Sequence, residues 1–346
     1  MASRPHGSRP RRTRPRRAAK LPPGSRHALA VLVMASVVVP LLGAARPAAV
    51  PAAAPAVLSP LRAATPAVLD ERYAASRAGI RAAGSAAAGH GDRSRAAVLR
   101  AMADPARHFL SFDGRDGGRT VEVFGDLSGA GRIAVLVPGS DTSLDRYGRL
   151  RAGASALRRE LGGGAAVIAW LGYRTPATVS PQALTPGLAD EAAPRLRAFV
   201  AELTDARPGA RVSLLCHSYG SVVCAGAAHG LRVADIVLYG SPGTGVDHAG
   251  RLRTGATVWA GRGDGDWMAE VPHARLRLPC LTVGFGADPV SKGFGARVFD
   301  AGPGGHSDYL RPGSVSLRNL ARIVSGRTPS GRTPSGQTSS GERRDA

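Results

Sequence analysis

The chain has little lysine, little aromatic character and few cysteines, and these shortages narrow the classes of protein it can be. Lysine occurs only at Lys20 and Lys292, so the net charge of +21 comes from arginine. Aromatic residues make up 5% of the sequence and few lie beside the arginines, which disfavours a nucleic-acid-binding surface. The sequence lacks C-x-x-C, H-E-x-x-H, a Walker loop and a complete dinucleotide fingerprint, so we expect neither a bound metal nor a nucleotide cofactor.

The chain has three cysteines, and the residues around each one indicate its role. Cys216 and Cys224 lie in apolar segments typical of buried elements, so we expect both to pack as small hydrophobic side chains. For an exported chain, a disulfide that involves Cys280 is an open alternative.

Residues 1–45 have the charge and hydropathy profile of an export signal. Residues 1–27 contain nine basic residues and no acidic residue, and residues 28–45 carry no charge. A basic segment, an apolar stretch and the small residues Gly43 and Ala45 are typical of a secretory signal peptide that is cleaved after Ala45. The apolar stretch is also long enough to span a bilayer, so an uncleaved membrane anchor is the alternative. Both predict that the rest of the chain is secreted or lies in the cell envelope.

The remaining sequence divides by composition into four parts. Residues 46–64 are rich in alanine and proline and predict a linker, and residues 65–107 have the apolar periodicity of a helical extension. Residues 108–324 open with a hairpin pattern and continue as apolar strands that alternate with helices. This pattern predicts an α/β fold with a mostly parallel central sheet and helices on both faces. Residues 325–346 repeat Ser-Gly-Arg-Thr-Pro and predict a disordered tail.

The most informative segment is Cys-His-Ser-Tyr-Gly at 216–220, which lies between a strand pattern at 211–215 and a helix pattern that follows it. A serine on a sharp strand-to-helix turn has its hydroxyl lifted clear of the backbone, beside the helix N-terminus. The pattern of such a turn is G-x-S-x-G, and Cys216 stands in place of its first glycine. We therefore predict that Ser218 is a nucleophile.

A serine nucleophile needs a histidine base within hydrogen-bond reach and a carboxylate that orients this base. On such a turn, the acid and then the histidine follow the serine along the chain. His306 comes late and lies in a glycine-rich loop after a strand pattern at 296–299, so we predict that it is the base. Three other histidines follow Ser218 at less suitable places: His229, His248 and His273.

The acid is predicted to follow the strand pattern at 256–260, where the chain opens into a glycine-rich loop. Asp264 and Asp266 both have suitable spacing, and we favour Asp266 because two apolar residues follow it. Asp288 is a third candidate.

An oxyanion hole needs two backbone N–H groups beside the nucleophile. One is predicted to be the N–H of Tyr219, which follows the serine. The other is predicted to come from Ser140 or Asp141, in the loop directly after a buried-strand pattern at 132–137.

Six short motifs occur in one order within residues 108–324. They are V-P-G at 137–139, W-L-G-Y at 170–173, H-S-Y-G at 217–220, G-S-P-G at 240–243, F-G-A-R-V-F at 294–299 and G-H-S-D-Y at 305–309. In this combination the sequence resembles an actinobacterial α/β-hydrolase family of unassigned substrate. The resemblance implies the α/β-hydrolase fold, here with an N-terminal helical extension, and a serine hydrolase. It implies no particular substrate.

The function predicted from these features is that of an exported serine hydrolase that cleaves carboxylic esters with Ser218, His306 and Asp266. The expected partner is a small-molecule or lipid ester, without nucleic acid, and the N-terminal segment could attach the protein to a membrane. A non-catalytic hydrolase-fold protein that binds ligands or serves in the envelope is the alternative, because a fold does not by itself establish catalysis.

Overall fold

The structure is a computed structural model, and it describes residues 54–279 and 281–330. The predicted signal or anchor segment, the start of the predicted linker, Cys280 and most of the predicted tail lie outside the described residues. Within the described ranges, no helix combines the length and the apolar character needed to cross a membrane.

Strands and helices alternate along the described chain as the sequence predicts. The α-helices are α1 Pro66–Gly89, α2 Arg93–Met102, α3 Gly148–Leu161, α4 Gly187–Ala206, α5 Gly220–Ala227 and α6 Val315–Val324. The strands are β1 His108–Asp113, β2 Arg119–Phe124, β3 Arg132–Val137, β4 Ala165–Leu171, β5 Arg211–His217, β6 Asp235–Tyr239, β7 Thr257–Gly261, β8 Leu276–Leu278, β9 Leu281–Val283 and β10 Arg297–Val298. Short 3-10 helices lie at Pro181–Leu184, Ala249–Leu252, Trp267–Glu270 and Lys292–Phe294.

Eight of the described strands form one sheet in the order β1-β2-β4-β3-β5-β6-β7-β10. The first two junctions, β1 with β2 and β2 with β4, are antiparallel, and every later junction is parallel. The predicted mostly parallel sheet is therefore confirmed. Because the carboxyl ends of parallel strands share one edge, the loops that follow β3, β5 and β7 come together there.

Hydrophobic cores lie on both faces of the sheet. Along β3, Ile133 and Val135 join one core while Ala134 and Leu136 join the other, as the two-residue repeat of a strand requires. Helices α4 and α5 cover the first face, and α3 and α6 cover the second. A strand buried on both faces needs apolar side chains throughout, which explains the continuous apolar runs in the sequence.

The helical extension belongs to these cores. Tyr73 of α1 packs its ring 4.7 Å from that of His108 on β1. Leu61 and Ala64, which precede α1, are buried, and the N–H of Leu61 donates to Glu202 at 3.0 Å. The predicted linker therefore ends before Leu61, because the residues from there onwards pack on the domain.

The carboxyl-terminal boundary also differs from the prediction. Helix α6 ends at Val324 as expected, but hydrogen bonds continue beyond it. The N–H of Ser330 donates to Asn319 Oδ1 at 3.0 Å, and the carbonyl of Ser330 accepts from Asp300 N–H at 3.0 Å. The predicted disordered tail therefore does not begin at Ser325, because the chain is held to the domain as far as Ser330.

Strands β8 and β9 form a separate antiparallel hairpin in a region where the sequence shows no clear element. Each strand has three residues, which is too short for a periodic pattern to predict. The N–H of Gly284, at the end of the hairpin, donates to the carbonyl of Leu184 at 2.8 Å. The hairpin thus lies beside the segment that follows β4.

Candidate active site

Ser218 occupies the turn between β5 and α5. Its φ of +52° lies in the left-handed region, which costs a residue with a side chain on the order of 1–3 kcal/mol. The turn is held on both sides: the N–H of Ser218 donates to the Tyr239 carbonyl at 3.0 Å, and its carbonyl accepts from Ser221 N–H at 2.9 Å. The predicted strand-to-helix turn is thus present, with the serine in the strained backbone that a nucleophile elbow uses.

Two glycines allow the neighbouring chain to approach the serine closely. A Cβ on Gly220 would lie 2.6 Å from the carbonyl oxygens of both Val137 and Pro138, so α5 can start against the end of β3 only with glycine there. A Cβ on Gly139 would lie 2.6 Å from the Cβ of Ser218. The loop after β3 therefore contacts the serine directly.

His306 stands between Ser218 and Asp266. Its Nε2 is 3.0 Å from Ser218 Oγ, and its Nδ1 is 2.9 Å from Asp266 Oδ1. An ionised carboxylate can only accept, so Nδ1 carries the proton and Nε2 accepts the serine hydroxyl. The histidine loop is held by Gly305, whose N–H donates to Asp308 Oδ2 at 2.9 Å.

Asp266 is buried, with 2% of its surface exposed, and is surrounded by donors. Tyr309 OH donates to Oδ2 at 2.5 Å, and Met268 N–H donates to Oδ1 at 2.9 Å. Burial alone would raise the pKa of Asp266, but the hydrogen bonds from His306, Tyr309 and Met268 outweigh it and lower this pKa below its ordinary value. A Cβ on Gly240 would lie 2.9 Å from Oδ2, so only glycine leaves room for this carboxylate.

The two alternative acids lie elsewhere. Asp264 is exposed on the same loop, two residues before Asp266. Asp288 accepts from Arg262 Nη1 at 2.7 Å in an ion pair. Of the three candidates, the structure brings Asp266 to His306.

The three other histidines of the sequence analysis are also in different surroundings. His229 is exposed after α5. His248 accepts from Gly250 N–H at 3.0 Å, and His273 has its Nε2 3.7 Å from Asp288. These positions match the preference for His306.

The structure separates the two sequence alternatives for the second oxyanion donor. The N–H of Asp141 donates to the Pro176 carbonyl at 2.9 Å, in a residue with φ of +58°. Ser140, on the loop that contacts Ser218, therefore remains as the candidate. Tyr219 directly precedes α5, and the first N–H groups of a helix have no partner within it. The N–H groups of Ser140 and Tyr219 are thus the donor pair that this geometry favours.

The side chain of Tyr219 anchors the segment after β4. Its hydroxyl donates to the Thr185 carbonyl at 2.8 Å and accepts from Ala189 N–H at 3.1 Å. Its ring stacks on Tyr173 at 6.5 Å and meets the edge of Phe285 at 5.7 Å. Burial raises the pKa of Tyr219 to about 12, so the phenol stays protonated.

His217 is a residue of the site to which sequence reasoning assigned no role, although it lies in the H-S-Y-G motif. Its Nε2 is 2.8 Å from the backbone carbonyl of His306, and the two rings are 4.7 Å apart. Burial, followed by the nearby charge of His306, lowers the pKa of His217 to about 3. His217 is therefore neutral at physiological pH, and its Nε2–H donates to the loop that carries His306.

An exposed aromatic ring and a cavity lie near the loops that carry these residues. Trp267 is 48% exposed, and its ring lies 4.8 Å from that of His306. A cavity of about 170 Å³ adjoins the loop after β3 and is lined by residues 116–118, 141–143, 146 and 173–177. Within the described chain, no group of three or more His, Cys, Asp and Glu side chains could hold a metal ion.

Comparison with known proteins identifies the family. Residues 113–276 match a family profile described as alpha/beta hydrolase. The uncharacterized protein Rv0963c of Mycobacterium tuberculosis is 32% identical over 186 residues, which cover 47% of this chain and 70% of that protein. The chain belongs to the α/β-hydrolase family.

Other similar proteins are longer than this chain or less similar to it in sequence. The uncharacterized protein Rv2079 of Mycobacterium tuberculosis is 33% identical over 251 residues, which cover 63% of this chain, and the chain spans 38% of that relative's length. Among solved structures, the α/β serine hydrolase XC6422 of Xanthomonas campestris has 19% identity and a TM-score of 0.41, over 64% of this chain and 94% of that one. Esterase LipW of Mycobacterium marinum has 15% identity and a TM-score of 0.38, over 70% of this chain and 87% of that one.

Cys216 stands where the α/β-hydrolase pattern G-x-S-x-G has its first glycine, and in the structure this cysteine has a covalent partner. Cys216 forms a disulfide with Cys224, eight residues later on α5. Both residues are buried as predicted, but the expectation that they are unpaired hydrophobic side chains is wrong. Helix α5 packs back along β5, so the Cα atoms of Cys216 and Cys224 are 6.4 Å apart. The number of residues between the two cysteines does not by itself predict this distance.

Proposed function

We propose that this α/β-hydrolase is a serine hydrolase that cleaves carboxylic esters. The observation that carries the proposal is one chain of hydrogen bonds. It runs from Ser218 Oγ through both ring nitrogens of His306 to the buried carboxylate of Asp266. A serine with a purely structural role needs neither a base at 3.0 Å nor a left-handed backbone.

The proposed reaction has two halves. Ser218 Oγ attacks the ester carbonyl while His306 Nε2 takes the hydroxyl proton, and the oxyanion accepts from the N–H groups of Ser140 and Tyr219. The intermediate collapses to an acyl-serine, and the alcohol leaves with the proton from His306. Water then attacks the acyl-serine with His306 again as the base, which releases the carboxylic acid and restores the serine.

Asp266 supports both halves without changing its own protonation. Its lowered pKa keeps it ionised at neutral pH, where it holds the Nδ1–H tautomer of His306 and stabilises the imidazolium that forms. Tyr309 and Met268 keep the carboxylate in place.

Esters are the substrate class we favour because amides are stabilised by resonance between nitrogen and carbonyl. The same residues therefore cleave an ester more readily than the matching amide. Turnover of an ester, a thioester and an amide that share one acyl group tests this preference directly. Faster cleavage of the matching amide would overturn the ester assignment and leave the serine mechanism intact.

Fluorophosphonate labelling of the purified protein, followed by a peptide map, tests the serine mechanism. We expect the label on Ser218, and we expect Ser218→Ala to lose both the label and p-nitrophenyl ester turnover. Ser221→Ala is the matched control, because Ser221 is buried three residues away and its hydroxyl donates to the Cys216 carbonyl at 3.1 Å. Unchanged ester turnover in Ser218→Ala would favour the non-catalytic alternative.

We also propose that the protein is exported. The sequence of residues 1–45 supports this, and so does the disulfide between Cys216 and Cys224, since disulfides persist in oxidising compartments. N-terminal sequencing of secreted material should begin near Arg46. Protein retained in the membrane with residue 1 intact would indicate an anchor instead.

A further inference from the structure

The hairpin of β8 and β9 has one face made entirely of aliphatic side chains. Leu276 lies opposite Val283, and Leu278 lies opposite Leu281. Opposite residues share a face, as do residues two apart, so all four side chains are on one side of the hairpin. Leu276 is 59% exposed, and Leu278 and Leu281 are each 47% exposed. A two-stranded hairpin is marginal in water, and this one presents its apolar face to solvent.

The stem of the hairpin is fixed to the domain. Arg275 donates to the Gly245 carbonyl and pairs with Asp247 at 2.9 Å. The carbonyl of Phe285 accepts from Thr244 N–H at 3.0 Å. The residues at the base of the hairpin, Arg275 and Phe285, therefore fix the exposed aliphatic face to the domain.

This face belongs to a larger apolar rim at the edge of the sheet that carries Ser218. The rim consists of residues 172–186 after β4 and residues 267–287 after β7, which meet through the hydrogen bond between Gly284 and Leu184. Among the described residues, these two segments contain the large hydrophobic side chains that are most exposed, apart from Val57. They are Val179, Leu184, Trp267, Leu276, Leu278 and Leu281.

The rim carries more positive than negative charge. Residues 172–186 contain Arg174 and no acidic residue, and residues 267–287 contain Arg275, Arg277 and one acidic residue, Glu270. Arg275 is paired with Asp247, whereas Arg277 lies on the exposed hairpin itself, which has no acidic residue between 276 and 283. The whole chain has a net charge of +21. The hairpin, with its aliphatic face, Arg277 and no carboxylate, is complementary to lipid whose headgroups are anionic.

We infer that the aliphatic face of the β8–β9 hairpin docks the protein on an anionic lipid surface. The leucines enter the boundary between headgroups and acyl chains, and Arg277, on the opposite face of the hairpin, remains at the level of the phosphates.

The docking also bears on the substrate, and this part rests on the proposed function. Trp267 belongs to the rim and lies 4.8 Å from His306, ring to ring. Phe285 of the hairpin stem contacts Tyr219, the residue after the nucleophile. Docking therefore brings lipid next to Ser218, which fits an ester that resides in the lipid surface.

The test places a reporter on the hairpin of the full chain, because residues 28–45 could bind lipid by themselves. Leu278→Trp is made in Ser218→Ala protein, and its emission is compared with that of the same protein carrying Leu278. Vesicles contain phosphatidylglycerol and phosphatidylcholine with brominated acyl chains, which quench only a tryptophan that reaches them. Gly209→Trp is the matched control, since Gly209 lies at the opposite edge of the sheet with open space around a Cβ.

We expect bromolipid to quench the tryptophan at 278 and not the one at 209. Adding Leu276→Ser and Leu281→Ser should raise the lipid concentration for half-maximal quenching by about tenfold or more. Arg277→Gln should raise it about fivefold, and only when phosphatidylglycerol is present. Arg81→Gln, an exposed arginine on α1, is the charge control.

Absence of quenching at 278 would overturn the inference. So would a wild-type dimer that becomes a monomer in the double serine variant, measured by light scattering, because the face would then be a contact between copies. If fluorophosphonate labels Ser218 in wild-type protein but bromolipid does not quench the tryptophan at 278, the hydrolase proposal stands and the docking inference is wrong. If the tryptophan at 278 is quenched but Ser218 is not labelled, the docking inference stands and the proposed activity is wrong.

Discussion

Residues distant in the sequence, rather than the loop that contains it, place Asp266 beside His306. Asp264 and Asp266 lie on the same glycine-rich loop, yet only Asp266 is buried against His306. Tyr309, 43 residues away, donates to its carboxylate. The preference for Asp266 in the sequence rested on the two apolar residues that follow it, and Met268, one of these, is buried.

Replacing each acid by its amide tests the proposed role of Asp266. Asp266→Asn should lower kcat by about 10⁴, because the amide favours the wrong tautomer of His306. Asp264→Asn and Asp288→Asn should stay near wild-type activity, since His306 Nδ1 donates to Asp266. The measurement is ester turnover at matched folding by circular dichroism. An equal loss in Asp288→Asn would contradict the assignment.

Asp266 should also make stability depend on pH in acid. Its pKa is lowered in the folded protein, so its ionised form stabilises the fold above the ordinary value of 3.8. This contribution is lost as pH falls through the lower, folded value. The difference in free energy of unfolding between wild type and Asp266→Asn should therefore be constant near neutral pH and change below about pH 4. A difference that stays constant into acid would mean that the carboxylate is not preferentially ionised.

His217 is predicted to position the loop of His306. His217→Leu removes the donor to the His306 carbonyl and should lower kcat about tenfold with little change in KM, because a buried acceptor is left without a partner. His217→Gln keeps an N–H donor and should recover most of the activity. A glutamine variant as slow as the leucine variant would argue for a role of the ring itself.

At the scale of elements, the turn at Ser218 is the part that local sequence predicts best. Strand β5 begins at the predicted residue and ends two residues later than predicted, and helix α5 follows the turn at Ser218 as predicted. The reason is that a strand, a sharp turn and a helix each depend on residues next to them in the chain. The disulfide that joins β5 to α5 depends instead on how the helix packs, and the sequence did not predict it.

The disulfide is expected to stabilise this turn. Replacing both Cys216 and Cys224 by alanine should lower the free energy of unfolding by about 2–3 kcal/mol, the value for closing a loop of this length. Urea denaturation measures the change, and mass spectrometry after alkylation confirms the bond in wild type. Wild-type protein that alkylates at both cysteines without reductant would contradict the pairing.

At the scale of the whole molecule, the predicted linker (46–64) and the predicted tail (325–346) both include residues that pack on the domain. Leu61 and Ala64 pack into a core at one end, and Ser330 bonds to Asn319 at the other. A composition rich in alanine and proline, or in serine and glycine, describes only the average character of a segment. It does not show which single residues find partners on the folded domain.

Two truncations test the carboxyl-terminal boundary. Removal of residues 331–346 should leave the melting temperature and ester turnover unchanged. Removal of residues 325–346 should lower the melting temperature by several degrees, because Asn319 and Asp300 lose their bonds to Ser330. Equal melting temperatures for the two truncations would show that residues 325–330 contribute nothing.

The sequence by itself determined the order of the strands and helices of the main sheet, the turn at Ser218 and the order of Ser218, Asp266 and His306 along the chain. These follow from patterns within a few residues, and the resemblance to a family added the fold. Tertiary structure decided which aspartate meets His306, which cysteines pair and which face of a short hairpin is exposed. The physical reason is that each of these depends on distances between residues far apart in the chain, which sheet order and helix packing set.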